Sequence, residues 1–494
     1  MGICIKKFIK TKSIGSWINA PLLVAFMSAW PWSAIGSEAA SASKQLDAGW
    51  NSFIENLQEA RNRLLNEEHF PPDASDRVLA EGYRYLLGHV NRVIEMELRA
   101  DPEFPEFLRS MDMLRKWTGE NPDTMYLKAP IDDTGYYRIS GRASNTQEWK
   151  TSKRAGKGPK APRMVTFQTI TGVPGGTGEL KEMAECKSVT LDFLNTFEID
   201  TDRKGRFEIL VGPERPQDYR GNFLVSRKNY TCPSTAQEFV ARAKWVALRE
   251  IFSDWENERP LELDIVRLGS EGKNRPPYSP EKIASTLSKI GSEVANQVRF
   301  WNLLMEFPLE MRGDRNNDGS RALPVNGINP PAPPFTAGGV AGAKQIYAAG
   351  IFELTEDEAL VFKVEAPLEP HYVGFQLNNL WMEGPDQQNY VSSLTGTQLR
   401  KSKDGARYYI VAHRDPGYDG WVDTTGLEKG FHAMRFVFRT DPLPEEMPTA
   451  HATLVKFDDI HHFLPEGTTK ISAEQRRAQI AVRQAHIKRI WGGQ

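Results

Sequence analysis

The chain is poor in cysteine, with only Cys4, Cys186 and Cys232 among 494 residues, too few for a scaffold built on disulfides. It has no excess of positive charge. Lys and Arg number 62 against 64 Asp and Glu, which excludes a polycation that coats nucleic acid, so no nucleic-acid partner is expected. Beyond the N-terminal segment no long apolar run occurs, and 40% hydrophobic with 26% charged residues excludes a multi-span membrane protein and a chain disordered throughout. Motifs that announce common chemistries are also missing: there is no Gly-x-Ser-x-Gly elbow, His-Glu-x-x-His, Cys-x-x-Cys or complete Walker loop. The glycine-rich stretch Gly172–Gly178 does not join a strand to a helix in a βαβ setting, so it does not read as a phosphate cradle.

What is present starts at the N-terminus. Lys6, Lys7, Lys10 and Lys12 precede an apolar stretch from Ile18 to Ile35, and small residues follow through Ala42. Basic, apolar, then small is the order of a secretory signal peptide, here residues 1–42. Pro21, Pro31, Ser28 and Ser33 interrupt the apolar stretch and disfavour a spanning helix, so no stable membrane span is expected after cleavage. Removing four lysines and one glutamate leaves 58 basic against 63 acidic residues, a net charge of −5. A periplasmic or secreted location follows. There the remaining pair, Cys186 and Cys232, could form one disulfide, with two buried free thiols as the alternative.

The expected fold is mainly β: two tandem antiparallel β-sandwich (jelly-roll-like) domains with an N-terminal helical hairpin, an interdomain helix and a C-terminal helix. Residues 43–120 form the helical region, where Leu46, Trp50, Phe53, Leu57 and Leu64 recur at helical spacing. Short alternating runs over 121–270 give the first sandwich. Within it, Ser234 to Trp255 reads as a capped helix followed by a strand from about Ala247. Ser279 and Pro280 open a helix over 279–307. Residues 308–345 form a Pro/Gly-rich linker, 346–465 the second sandwich, and 472–491 a helix with a capping box and a basic, solvent-facing surface.

The two β regions repeat. Gly205 and Gly405 each precede an alternating strand, a proline 11 residues on (Pro216 and Pro416), and a later strand with a central arginine, Arg249 and Arg435. Asn121-Pro122-Asp123-Thr124-Met125-Tyr126, Tyr137-Arg138-Ile139-Ser140-Gly141, Gly374-Phe375-Gln376-Leu377-Asn378-Asn379, Asn389-Tyr390 and Ala412-His413-Arg414-Asp415-Pro416 resemble the bacterial family known as domain of unknown function 1214. The resemblance covers most of 120–270 and 350–460. It implies tandem β-sandwiches and no assigned activity.

Polar groups beside aromatics supply the candidate site. A guanidinium flanked by apolar residues must meet a carboxylate or a ligand, or line a groove. Arg249, Asp254 and Trp255 in the first copy, with Asn379, Trp381, Arg414, Trp421 and Arg435 in the second, are the candidate ligand-binding residues. Glu383, Asp415 and Asp423 are the candidate acids and bases. Asp314, Asn316 and Asp318 match the start of a calcium loop, but Val325 stands where its bidentate carboxylate belongs, so no metal or cofactor is expected beyond a weak Ca²⁺ possibility. His461 and His462, read as extended, would point to opposite faces. The expected function is an exported protein binding a small or oligomeric polar or aromatic ligand, such as a carbohydrate, in a groove. A hydrolase or lyase with an arginine clamp and a structural envelope protein are the alternatives.

Overall fold

Alternating apolar residues place one face of each strand against a partner sheet, and the result is two sandwiches with a helical layer beside them. The structure, a computed structural model, describes residues 32–65, 75–117, 119–151, 155–309, 323–333 and 344–492. Residues 1–31, most of the expected signal peptide, and the candidate calcium ligands Asp314, Asn316 and Asp318 lie outside the described residues. No described helix is long and apolar enough to cross a membrane.

Lobe one contains β1 (Leu108–Arg109), β2 (Thr124–Pro130), β3 (Tyr137–Arg142), β4 (Met164–Ile170), β5 (Thr190–Asn195) and β6 (Arg206–Gly212). It continues with β7 (Asn222–Val225), β8 (Arg227–Thr231), β9 (Glu238–Arg242), β10 (Trp245–Ile251) and β11 (Glu262–Arg267). Lobe two contains β12 (Lys344–Glu353), β13 (Glu358–Glu365), β14 (Tyr372–Asn378) and β15 (Ser393–Thr395). It ends with β16 (Arg407–Ala412), β17 (Trp421–Asp423), β18 (Lys429–Phe438) and β19 (Thr449–Lys456). The helices are α1 (Trp32–Leu64), α2 (Asp76–Arg99), the single turns α3 (Gln147–Lys150) and α4 (Lys181–Ala184), α5 (Pro280–Leu309) and α6 (Ala473–Trp491).

The lobes share one topology. Strand order β2-β10-β4-β5 in lobe one matches β12-β18-β14-β15 in lobe two, and β11-β3-β6-β7 matches β19-β13-β16-β17. Even the two parallel pairs correspond, β6 with β7 and β16 with β17. Each lobe has its own core: Ile139, Phe167, Ile209, Val246 and Leu248 in the first, and Phe362, Phe375, Tyr409, Met434 and Phe436 in the second. Burying one such side chain contributes roughly 1.5–3 kcal/mol, so these layers fix which strand face points inward. Lobe one adds β1 and the hairpin β8–β9. A disulfide between Cys186 and Cys232 (Cα–Cα 5.8 Å) ties the hairpin's turn to the segment after α4.

Several local readings change. The stretch from Ser234 is no helix: Thr235 accepts from the Gln237 N–H, Ala236 takes a left-handed φ of 56°, and the chain turns into β9 and then β10. The residues read as a helix cap make a hairpin turn, because pairing with β8, β2 and β4 outweighs local propensity. The N-terminal helical hairpin packs on the long helix α5. Gly49 lies against the Ala284 backbone and Gly291 against Phe53, so α1 and α5 run closely side by side, with α2 packed across them. In the expected linker, Ala332 and Tyr347 exchange backbone hydrogen bonds of 2.9 and 2.8 Å, covering the free edge of β12. The histidine pair sits on a 3-10 turn, Phe457–Phe463, with ring centroids 3.8 Å apart, not on an extended segment.

Part of the basic surface of α6 is docked: Arg476, Arg483 and Arg489 reach the lobes, while Arg477 and Lys488 stay exposed. Ser472 and Gln475 form the capping box. Arg476 then pairs with Asp415 (2.9 and 3.1 Å), and Arg483 is fully buried, donating to the Gln387 and Ser393 carbonyls and the Ser393 hydroxyl. Arg489 reaches the Trp255 and Glu258 carbonyls in lobe one. One helix thereby fastens both lobes.

Candidate functional site

The two strand-centred arginines are brought together. Arg249 on β10 lies opposite Tyr126 and Thr166, and Arg435 on β18 lies opposite Tyr347 and Gly374. Their neighbours Val246, Leu248, Met434 and Phe436 point into the sandwich cores, so alternation sends both guanidinia to the outer faces. They do not thread the hydrophobic middle of either sandwich. They face the seam between the lobes.

The two arginines share two contacts, and Arg435 Nη2 also donates to the Gly119 carbonyl at 2.9 Å. Arg249 donates to Gln168 Oε1 at 3.2 Å and lies 5.9 Å from the Tyr126 ring centroid. Arg435 donates to Gln376 Oε1 and lies 5.8 Å from the Tyr347 ring centroid. Gln168 and Gln376 occupy equivalent register positions, opposite Ala247 and Ala433. The repeat therefore carries a duplicated Arg–Gln–Tyr set. Burial raises the Tyr347 phenol, while Arg435 and, from the other lobe, Arg249 oppose that rise, so both cations lie near one ring.

The seam is closed in one place. Met164, Ile251, Tyr372 and Val437 form a buried cluster across it. Beside them Tyr372 donates to Asp123, whose carboxyl burial pushes up to about 6, and Asn121 Nδ2 donates to the Tyr372 hydroxyl at 3.0 Å. Further along, Ala247 and Ala433 are only partly buried although paired strands flank both.

A second set of cations borders lobe one's wall. Lys128, opposite Ala247 on β2, is 5% exposed, and its Nζ has no hydrogen-bond partner among the described residues. It stands 4.8 Å from the Trp117 ring centroid, and the Arg92 guanidinium stands 3.7 Å from the same centroid. Trp301 of α5 meets Trp117 edge-on at 5.5 Å. Burial, then the charges of Arg92 and Arg249, hold the Lys128 amine well below the usual lysine range, with Glu293 opposing. Burial also lowers Arg92 to about 10. The equivalent of Lys128 in lobe two is Ala349, so this lysine has no counterpart there.

The other expected site residues serve the architecture. Asn379 Nδ2 donates to Glu81, and its Oδ1 accepts from the Trp381 and Glu383 N–H groups. Trp381 is fully buried, stacks on Tyr85 at 5.2 Å and donates from Nε1 to the Val78 carbonyl at 2.8 Å. Glu383 is fully buried against Arg84, and burial pushes its carboxyl up to about 8. Near it Lys116 donates to the Gly384 and Pro385 carbonyls, and Glu120 accepts from the Gly384 N–H. This network joins α2 to lobe two. Asp254 pairs with Lys160 at 3.0 Å, and Trp255 stacks on His486 of α6. Asp415 holds Arg476 and accepts from the Gly417 N–H, while Asp423 accepts from the Thr425 N–H. Trp421 donates to the Ala412 carbonyl, and the exposed Arg414 lies over Phe457 at 4.1 Å. Among the described residues no three His, Cys, Asp or Glu side chains cluster as a metal site.

Sequence reading missed Arg92, Trp117, Tyr126, Lys128, Gln168, Tyr347 and the role of Gln376. The equal offsets in the repeat could have pointed to the Gln and Tyr partners. Lys128 carries no such signal, being one lysine in an ordinary strand.

No family model and no curated protein matches this chain. Among solved structures, it is similar to a putative uncharacterized protein from Burkholderia cenocepacia, with 23% identity and a TM-score of 0.66 over 84% of this chain and 99% of that one. A second match is the VPA0106 protein from Vibrio parahaemolyticus, at 13% identity and a TM-score of 0.37 over 81% of this chain and 100% of that one. The first is a likeness of fold.

Proposed function

We propose that this chain is an exported binding protein that holds a small polar ligand in the seam between its two sandwiches, and that it belongs with the domain of unknown function 1214 family it resembles. The carrying observation is the duplicated Arg–Gln–Tyr set on facing sheets beside partly buried alanines. Two copies of one polar–aromatic set across the seam suit a ligand with polar groups and a flat body. The Cys186–Cys232 bridge and the basic, apolar and small order of the N-terminus support a periplasmic or secreted location.

Two measurements test the reading. N-terminal sequencing of protein recovered from the periplasm should begin between Ser37 and Ser43; intact Met1 on cytoplasmic protein would refute export. A thermal-shift screen against sugars, aromatic acids, lipids and Ca²⁺ should find selective stabilisation that Arg435→Ala abolishes while leaving the fold intact. A response to no compound, or one that survives in the variant, would refute the seam as a binding site.

A further inference from the structure

We propose that the seam takes a small organic anion, a carboxylate on a flat apolar body, held by Lys128, Arg92 and Arg249 on one wall and Arg435 on the other. This rests on the reading above and names the class of ligand. The first observation is the orphaned amine. Lys128 Nζ is buried without a hydrogen-bond partner among the described residues, a costly state for a group with three donors. Its charged neighbours are two further cations, Arg92 and Arg249, and one carboxylate, Glu293 from α5. Burial, then the nearby Glu97, raises the Glu293 carboxyl, while Lys289 and Arg92 oppose that rise.

The second observation is placement. Lys128, Arg249 and Arg435 all belong to the outer sheet faces on either side of the seam, and Tyr347 lies near arginines from both lobes. An oxyanion there would give Lys128 its missing acceptor and reduce the repulsion among the cations. Guanidinium forks suit planar carboxylates. The partly buried ring of Tyr347 suits a flat apolar body better than a neutral sugar rich in hydroxyls.

An orphaned lysine kept for binding makes an unusual prediction: removing it should stabilise the empty protein and weaken binding together. The full exported chain and the variants Lys128→Met, Arg249→Ala and Arg435→Ala would be titrated with benzoate, phthalate, inorganic phosphate and glucose by calorimetry, with Tm read in parallel. Benzoate or phthalate should bind the parent chain, and Lys128→Met should raise the empty Tm while weakening binding at least about tenfold. Four results would overturn the anion assignment. They are a lower Tm in Lys128→Met, carboxylate binding unchanged in that variant, phosphate binding without carboxylate binding, and no anion binding at all. Glucose binding that depends on Arg435 would also overturn it, yet leave the binding-protein reading standing.

Discussion

Among single residues, the buried carboxyls make the sharpest claim. Glu250 on β10 is fully buried in lobe one; one oxygen accepts from the Leu261 N–H at 2.9 Å, and the other has no partner among the described residues. Burial pushes its carboxyl up to about 8 from an ordinary 4.5. Between those values the folded state holds a proton that the unfolded chain has released. Glu250 therefore favours folding at acid pH, and that contribution drains away as pH rises, by roughly 1.4 kcal/mol per pH unit. Urea unfolding at pH 5 and pH 9 should show Glu250→Gln losing less stability than the parent over this interval. Asp123, Glu258 and Glu383 are raised in the same direction, so the difference between the two chains, not the parent slope alone, is the informative quantity. Residue roles were the least legible part of the sequence. Asp415 looked like an acid for catalysis and is an anchor for Arg476, and Trp381 looked like a ligand platform and is a wedge under α2. A side chain's role depends on what another part of the chain brings against it. Spacing along one strand does not encode that.

At the scale of elements, α6 sets the next prediction. Its nineteen residues look polar in sequence, yet Arg476, Arg483, His486, Ile487, Ile490 and Trp491 are buried. Arg483→Met would leave the Gln387 and Ser393 carbonyls without this donor and remove the cation from the Trp255 face, 4.5 Å away. We expect a loss of about 3 kcal/mol in chemical denaturation. Arg477→Ala, on the exposed side of the same helix, should change stability by less than about 0.5 kcal/mol. The strands themselves were readable. Period-two patterns around Phe207, Tyr409 and Phe436 are strong, and the 11-residue offset after Gly205 and Gly405 marked the repeat. The helix expected from Ser234 failed because caps and hairpin turns use the same residues. Arginine-rich docking of α6 was invisible because hydrophobic periodicity is blind to backbone carbonyls as partners.

For the whole molecule, the disulfide distinguishes two otherwise similar lobes. Cys186 and Cys232 enclose a separation of 46 residues, and losing such a closure costs about 4 kcal/mol on the chain-entropy account. Reductant, or Cys186→Ser with Cys232→Ser, should lower Tm and speed amide exchange in β8 and β9 while exchange in β16 and β18 stays slow. Uniform acceleration across both lobes would show that they unfold as one unit. The duplicated topology has a further consequence for how such a protein can change. In a dimer of identical subunits every substitution strikes both halves at once. Fusion into a single chain frees Gln168 to mutate while Gln376 stays, as the pair Lys128 and Ala349 already shows, so selection can reshape either side independently.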